Sequence, residues 1–326
     1  MPRSYWIYGI HLTSEIEIPG ALLGDLHSTP TLRVRIGQPL HPDAWRTAVP
    51  VFRSHGLCAN GQPAFAIEFL PATGWYRWRY CDGVIFCVRQ EGDEVWGAWP
   101  PGESHQCAAY YLVGPILAFM LRRRGALLLH GSAVSAGGHA ATFLGPSGIG
   151  KSTLAAALSR RGYSILADDL SRLDKRDGRY YIAPGYAGLR LWGDSAETLY
   201  GDLASLPRLV ENSSFWPTWD KRFLDLESDE SRFMRSPTAL GAIYLLTRSG
   251  DPPRPPETIS PSQGLIECFR NLYQGDISDT DQRRRDLGAL SDVMGKGTPV
   301  RRAFVGPDLA DLDRACDLLI ADLSTL

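Results

Sequence analysis

The sequence predicts an α/β (α+β) fold in which a phosphate-binding-loop core follows a β-rich N-terminal domain. Three observations predict it. Gly145-Pro146-Ser147-Gly148-Ile149-Gly150-Lys151-Ser152 fits G-x-x-x-x-G-K-[ST] at every fixed position. The octet lies between an apolar run, AATFL, that reads as a strand, and TLAAALSRRG, which reads as a helix closed by Gly162. Residues 1–99, by contrast, read as short aromatic or β-branched segments separated by turn residues.

The chain has 326 residues, enough for one large domain or two ordinary ones with sizeable cores. Hydrophobic residues make up 44% and charged residues 21%, the balance of a soluble globular protein. A formal net charge of −2 provides no basic field, so nucleic acid is not an expected partner. Basic residues are 30 Arg and 4 Lys, a bias that codon composition explains, and one of those lysines sits in the glycine loop. Cysteines 58, 81, 87, 107, 268 and 316 form no C-x-x-C and no zinc spacing. MPRSYWIYGIHL reads as a strand and lacks an apolar signal core, so reduced thiols and a cytoplasmic location are the expectation.

In chain order, the first half supplies SYWIYGIHL, TLRVRIG, PAFAIEFL, WYRWRYC, GVIFCVR and EVWGAWP as strands. Alternation of Trp75, Arg77 and Arg79 with Tyr76, Trp78 and Tyr80 gives one of them two different faces. The expected module is an antiparallel sheet or sandwich, its tryptophans serving the core rather than a peptide-binding face. Pro100-Pro101-Gly102-Glu103-Ser104 marks the expected boundary, giving domains 1–104 and 105–326. The apolar run at 107–121 is fifteen residues long and contains Gly114-Pro115. It falls short of the roughly 20 residues that span a bilayer. A buried helix ending in Arg122–Arg124 is expected, with no membrane contact.

The pattern changes from residue 126. ALLLHGSAV and HAATFLG read as strands of a hairpin turning at Ser135-Ala136-Gly137-Gly138, and the second strand runs into the glycine loop. A strand at YSILADDLSRL, strands near 179–183 and 187–192, and a polar segment to about 235 come next. GAIYLLT is a buried strand, DPPRPPETISP a rigid loop, and SPSQGLIECFRNLY a helix with an N-cap serine. A helix near 280–294, the strand PVRRAFVG and a helix from about 308 to 323 close the chain.

The chemistry-bearing residues cluster around the loop. Glycines let successive N–H groups turn toward phosphate oxygens, and the following helix adds its dipole. Residues 145–153, Thr153 included, are the expected nucleotide-binding segment. Lys151 reaches the β- and γ-phosphates and Ser152 ligates magnesium, so ATP and Mg²⁺ are the expected ligand and cofactor. Asp168 and Asp169 end an apolar strand 17 residues after Lys151. Two adjacent acids can divide metal holding from proton acceptance, provided the strand ends there. His130 closes ALLLH, and its hairpin delivers the next strand to the loop, which would set the ring beside Asp168. His139 reads as a surface residue of the hairpin turn.

Together, HGSAV, GPSGIGKST and ILADD resemble the kinase domain of the HPr serine kinase/phosphorylase family over residues 126–172. The separations of 21 residues from His130 to Lys151 and 17 from Lys151 to Asp168 are similar to that family's. The resemblance implies the HPr-kinase/phosphoenolpyruvate-carboxykinase type of core. It also implies Asp168 as the base for an acceptor serine, His130 as its support, Ser152 and Asp169 as metal ligands, and Lys151 as the neutraliser of phosphate charge. The family's Glu-x-Arg-Gly segment is absent; the corresponding region reads APGYAGLRLW. That stretch, the aromatic N-terminal half and the SPSQGL…NLY helix resemble the HPr-kinase-related proteins encoded with lasso-peptide genes. They imply a kinase for a serine at the C-terminal end of a precursor peptide. Arg190, Lys221 and Arg222 become candidates for gripping phosphate or carboxylate. The family's hexamers imply self-association. An HPr-type carrier protein or a small hydroxyl compound is the alternative acceptor, and a non-catalytic nucleotide switch the alternative function.

Overall fold

The computed structural model describes residues 2–25, 28–101, 105–209, 220–229 and 231–326. Of the expected boundary at 100–104, residues 102–104 lie outside the described residues, as do 210–219 and 230 of the expected polar segment. The chain divides into two compact units, residues 1–125 with 208–220, and residues 126–207 with 221–326.

In the first unit, Tyr8 and Gly9 both adopt positive φ, 50° and 68°, in the tight turn between β1 (Arg3–Ile7) and β2 (Ile10–Ser14). The expected single strand SYWIYGIHL is therefore a hairpin. β3 (Leu22–Leu23), β4 (Leu32–Ile36), β5 (Val49–Arg53), β6 (Phe65–Leu70), β7 (Trp75–Tyr80), β8 (Ile85–Arg89) and β9 (Glu94–Ala98) complete one nine-stranded sheet. Its order is β3-β1-β2-β4-β9-β8-β7-β6-β5, and β4 pairs parallel with both β2 and β9. The sheet is thus mixed rather than wholly antiparallel. The β7 alternation holds: Trp78 and Tyr80 are buried, while Arg77 and Arg79 both bond Glu68 across the strand pair, at 2.6 and 2.9 Å.

Residues 105–123 form one helical run, α1 (His105–Tyr111), a π turn (Leu112–Ile116) and α2 (Leu117–Arg123). Pro115 has no N–H and would clash with a carbonyl in a regular α turn, and the wider π turn accommodates it. This helix packs with the N-terminal sheet. Tyr111 stacks on Tyr80 at 3.9 Å, Phe119 meets Trp78 edge-on, and Tyr8 donates to the Val113 carbonyl. Hence the compact units divide after Gly125 and not at the expected residue 104. Cys58 and Cys81 form a disulfide, which corrects the expectation of reduced thiols throughout; Cys87, Cys107, Cys268 and Cys316 are free and buried. Burial pushes the Cys87 and Cys268 thiols up to about 12, far from nucleophilic.

The second unit is built on β10 (Leu127–Leu129), β11 (Gly131–Ala136), β12 (His139–Leu144), β13 (Ser164–Ala167), β14 (Ser171–Arg176), β15 (Arg179–Ile182), β16 (Gly188–Trp192), β17 (Lys221–Asp225), β18 (Thr238–Arg248), β19 (Glu257–Thr258) and β20 (Val300–Val305). Its helices are α3 (Lys151–Ser159), α4 (Gly193–Tyr200), α5 (Pro261–Arg270), α6 (Thr280–Gly295) and α7 (Leu312–Leu323). The main sheet runs β10-β14-β15-β18-β12-β11-β13, with β20 also on β18 and β19 on β20. β12, β18 and β20 are parallel neighbours. Leu144, Ile243, Leu245 and Val300 share one core with Cys268 and Leu272 near α5 and Leu290 and Val293 of α6. On the other face Phe143 packs with Tyr244, whose hydroxyl donates to Asp322 of α7 at 2.5 Å. The two faces of the parallel strands are therefore both covered, as their near-continuous apolar sequences require. α4 and β17 stand inside the expected polar segment, and β16 and β17 form their own two-stranded sheet. Among the described residues no helix is long and apolar enough to cross a membrane.

Candidate active site

The glycine loop follows β12 directly. Gly145, Gly148 and Gly150 have φ of 148°, 80° and 104°, values that L side chains rarely adopt, so glycine is required by the backbone itself. Gly150 caps α3, and the first helical bond runs from the Leu154 N–H to the Gly150 carbonyl at 2.8 Å. The N–H groups of Lys151, Ser152 and Thr153 consequently have no carbonyl four residues back within the helix. No acidic side chain occupies this first turn. The helix start therefore presents its positive end with no acidic side chain of its own first turn to offset it. Lys151 is buried, and its Nζ donates to the carbonyls of Gly145 at 2.9 Å and Pro146 at 3.2 Å. Burial lowers its pKa, while Asp169 and Asp168 pull it back up.

β13 ends at Ala167, so the condition for both acids to reach one place is met. Leu170 N–H bonds the Asp168 carbonyl at 2.7 Å, closing a three-residue turn on Asp169, whose φ is 60°. Aspartate tolerates this left-handed conformation better than most residues. The turn aims the two carboxylates at different partners. Asp168 is fully buried and accepts from the Ser132 hydroxyl at 2.7 Å, the Ser152 hydroxyl at 2.8 Å and the Arg190 backbone N–H at 2.9 Å. Burial and the adjacent Asp169 charge still raise its pKa against those three bonds. Asp169 pairs with the Arg190 guanidinium at 3.3 Å. Burial would raise its pKa too, but Lys221, Arg190, His130 and Lys151 outweigh it and hold the group below the usual carboxylate range.

The expected partnerships are therefore exchanged. Ser152 bonds Asp168, not Asp169, and the charge neighbours of the His130 ring are Lys151, Asp169 and Lys221. His130 stands between β10 and β11 where the chain changes pairing partner, and its N–H bonds the Asn271 carbonyl at 2.8 Å. Its ring meets Tyr273 edge-on at 5.4 Å. Burial, then Lys151, lowers its pKa to about 4, so the ring is neutral near pH 7.

Of the three candidates for gripping substrate, the structure brings two to Asp169. Arg190 lies over the Tyr186 ring at 4.7 Å, and Lys221 lies over Trp192 at 5.4 Å. Arg190, Trp192 and Lys221 share a face of the β16–β17 pair, because Trp192 stands opposite Lys221 and successive side chains alternate. Arg222 is the correction. It points the other way, and its guanidinium donates to the carbonyls of Leu203 and Leu206, both at 3.3 Å. Sequence reasoning missed Ser132, two residues beyond His130 on an otherwise small-residue strand, and Tyr186, whose hydroxyl is 3.5 Å from Asp168. His139, at the start of β12, takes no part.

Among the described residues no three His, Cys, Asp or Glu side chains group as a metal cage. Ser152 with a neighbouring carboxylate nevertheless fits magnesium, which takes one or two carboxylates, waters and substrate phosphate oxygens.

No protein-family model matches the chain, and no curated protein does either. Among solved structures, the Hpr(Ser) kinase/phosphatase from Coxiella burnetii matches at 12% identity with a TM-score of 0.34, over 61% of this chain and 91% of that one. The chemistry of this protein thus rests on its own residues.

Proposed function

We propose that the second unit is an ATP- and magnesium-dependent phosphotransferase that passes a phosphoryl group to a hydroxyl, most specifically a serine O-kinase acting on a peptide. One observation carries the reading: a glycine loop opening a helix, its lysine, the following serine and two differently solvated aspartates meet at one place. The N–H groups of residues 150–153 hold phosphate oxygens, and the Lys151 ammonium transfers from the loop carbonyls to the β- and γ-phosphates. Ser152 and Asp168 would hold the metal, which when bound would neutralise phosphate charge. Asp169 orients the acceptor hydroxyl and takes its proton as the new O–P bond forms and the β–γ bridging bond breaks, releasing ADP. Arg190 fixes Asp169, and neutral His130 adds no competing positive charge. Lys221, a charge neighbour of Asp169, lies over Trp192, whose exposure of 43% leaves it available to an acceptor.

The acceptor serine at the end of a lasso-type precursor peptide is the finer expectation; an HPr-type carrier or a small hydroxyl compound is the alternative. Incubation with γ-labelled ATP, magnesium, a panel of serine-terminated peptides, an HPr protein and polyols separates them. Label on a peptide serine supports the reading. ATP hydrolysis with no labelled acceptor in any arm would favour a nucleotide switch.

A further inference from the structure

The parallel strands β12, β18 and β20 end side by side, and residues at or just beyond their carboxyl ends border one cleft open to the surface. Ile149 and Gly150 of the glycine loop form part of its lining, as do Arg248 at the end of β18 and Asp308 just beyond β20. Ligands of open parallel sheets bind in this position, outside the carboxyl ends of the strands. Thr153, in the first turn of α3, also borders the cleft, so the space continues from the phosphate end of the site. The rest of the lining is mainly apolar, including Val305, Leu309 and Leu312. An apolar slot with one guanidinium and one carboxylate matches a flat heteroaromatic ring carrying N–H groups. A guanidinium stacks on such a ring, and a carboxylate accepts from it.

We propose that this cleft takes the nucleoside part of the nucleotide, with the base against Leu309 and Arg248 and one of its N–H groups donating to Asp308. The inference rests on the nucleotide reading of the glycine loop and adds what that reading leaves open. The loop, Lys151 and Ser152 address only phosphate and would hold tripolyphosphate as well as ATP. The cleft is what distinguishes a nucleotide from its polyphosphate.

Calorimetric titration of the full chain with magnesium and either ATP or tripolyphosphate tests it, using wild type, Arg248→Gln and Leu309→Asn. Both side chains are exposed, and tripolyphosphate binding reports that each variant keeps its loop intact. ATP is expected to bind at least tenfold more tightly than tripolyphosphate to wild type. Each substitution is expected to shrink that ratio several-fold, about what a stacked cation contributes, and to leave tripolyphosphate affinity unchanged. Equal affinity of wild type for the two ligands would overturn the cleft's role while the phosphate reading stands. So would variants that weaken both ligands alike. Failure of both ligands to bind wild type would overturn the nucleotide reading and this inference with it.

Discussion

At the scale of single residues, the two aspartates differ in what surrounds them, and the proposed division of their work follows from that difference. Asp168 is fully buried and accepts from two serine hydroxyls and a backbone N–H. Asp169 sits among four basic groups. Asp169→Asn is expected to lower the transfer rate about 10²–10⁴-fold, the usual contribution of a general base, and to leave ATP affinity nearly unchanged. Asp168→Asn is expected instead to weaken magnesium-dependent ATP binding. Steady-state kinetics with calorimetry decides, and the opposite pattern would return the base role to Asp168. His130 carries a pH prediction. Its folded pKa is about 4 against an ordinary value near 6.5, so between those values the unfolded chain binds a proton that the folded chain refuses. Its contribution is therefore lost as pH falls from about 6.5 toward 4, and His130→Gln should flatten that part of the stability profile in urea titrations.

At the scale of elements, the hairpin of β11 and β12 explains why glycine follows His130. A Cβ at Gly131 would lie 2.6 Å from both the Phe143 carbonyl and Leu144, the residues that lead into the glycine loop. Gly131→Ala is expected to cost about 2–3 kcal/mol by overpacking. Gly288, inside α6, is exposed and has open space around its Cβ position. Gly288→Ala should stabilise by about 0.5–1 kcal/mol, since alanine favours the helix and nothing must move. Chemical denaturation of the pair, read against wild type, checks both signs. The α5 start shows how local sequence suffices elsewhere: Ser260 and Gln263 close a capping box with Pro261 in the first turn, as the N-cap serine predicted.

At the scale of the whole molecule, the two units respond to different agents. The Cys58–Cys81 disulfide closes a 23-residue separation in the first unit, worth about 3 kcal/mol by loop-closure entropy. Reductant should therefore lower amide protection in that unit. Magnesium with ATP at a hundredfold excess over Kd should stabilise the second unit by about 2.7 kcal/mol, with residues 145–154 gaining protection first. Hydrogen exchange read by mass spectrometry separates the two effects. Unchanged exchange in the loop on adding both ligands would argue against nucleotide binding.

The sequence alone determined whatever depends on local backbone chemistry. The glycine loop between strand and helix, the end of an apolar strand at two aspartates, the Gly137-Gly138 hairpin and the capped helix at Pro261 all follow from residues a few positions apart. Contacts between distant segments were decided only by the tertiary structure. The pairing of Ser152 with Asp168, the turning of Arg222 toward Leu203 and Leu206, and the joining of Cys58 to Cys81 belong to this class. So does the packing of 105–123 on the N-terminal sheet, because an apolar helix can satisfy its burial on either side of a linker. Sequence spacing says which side chains exist and which face they share; which partner each one reaches is set by how the chain closes on itself.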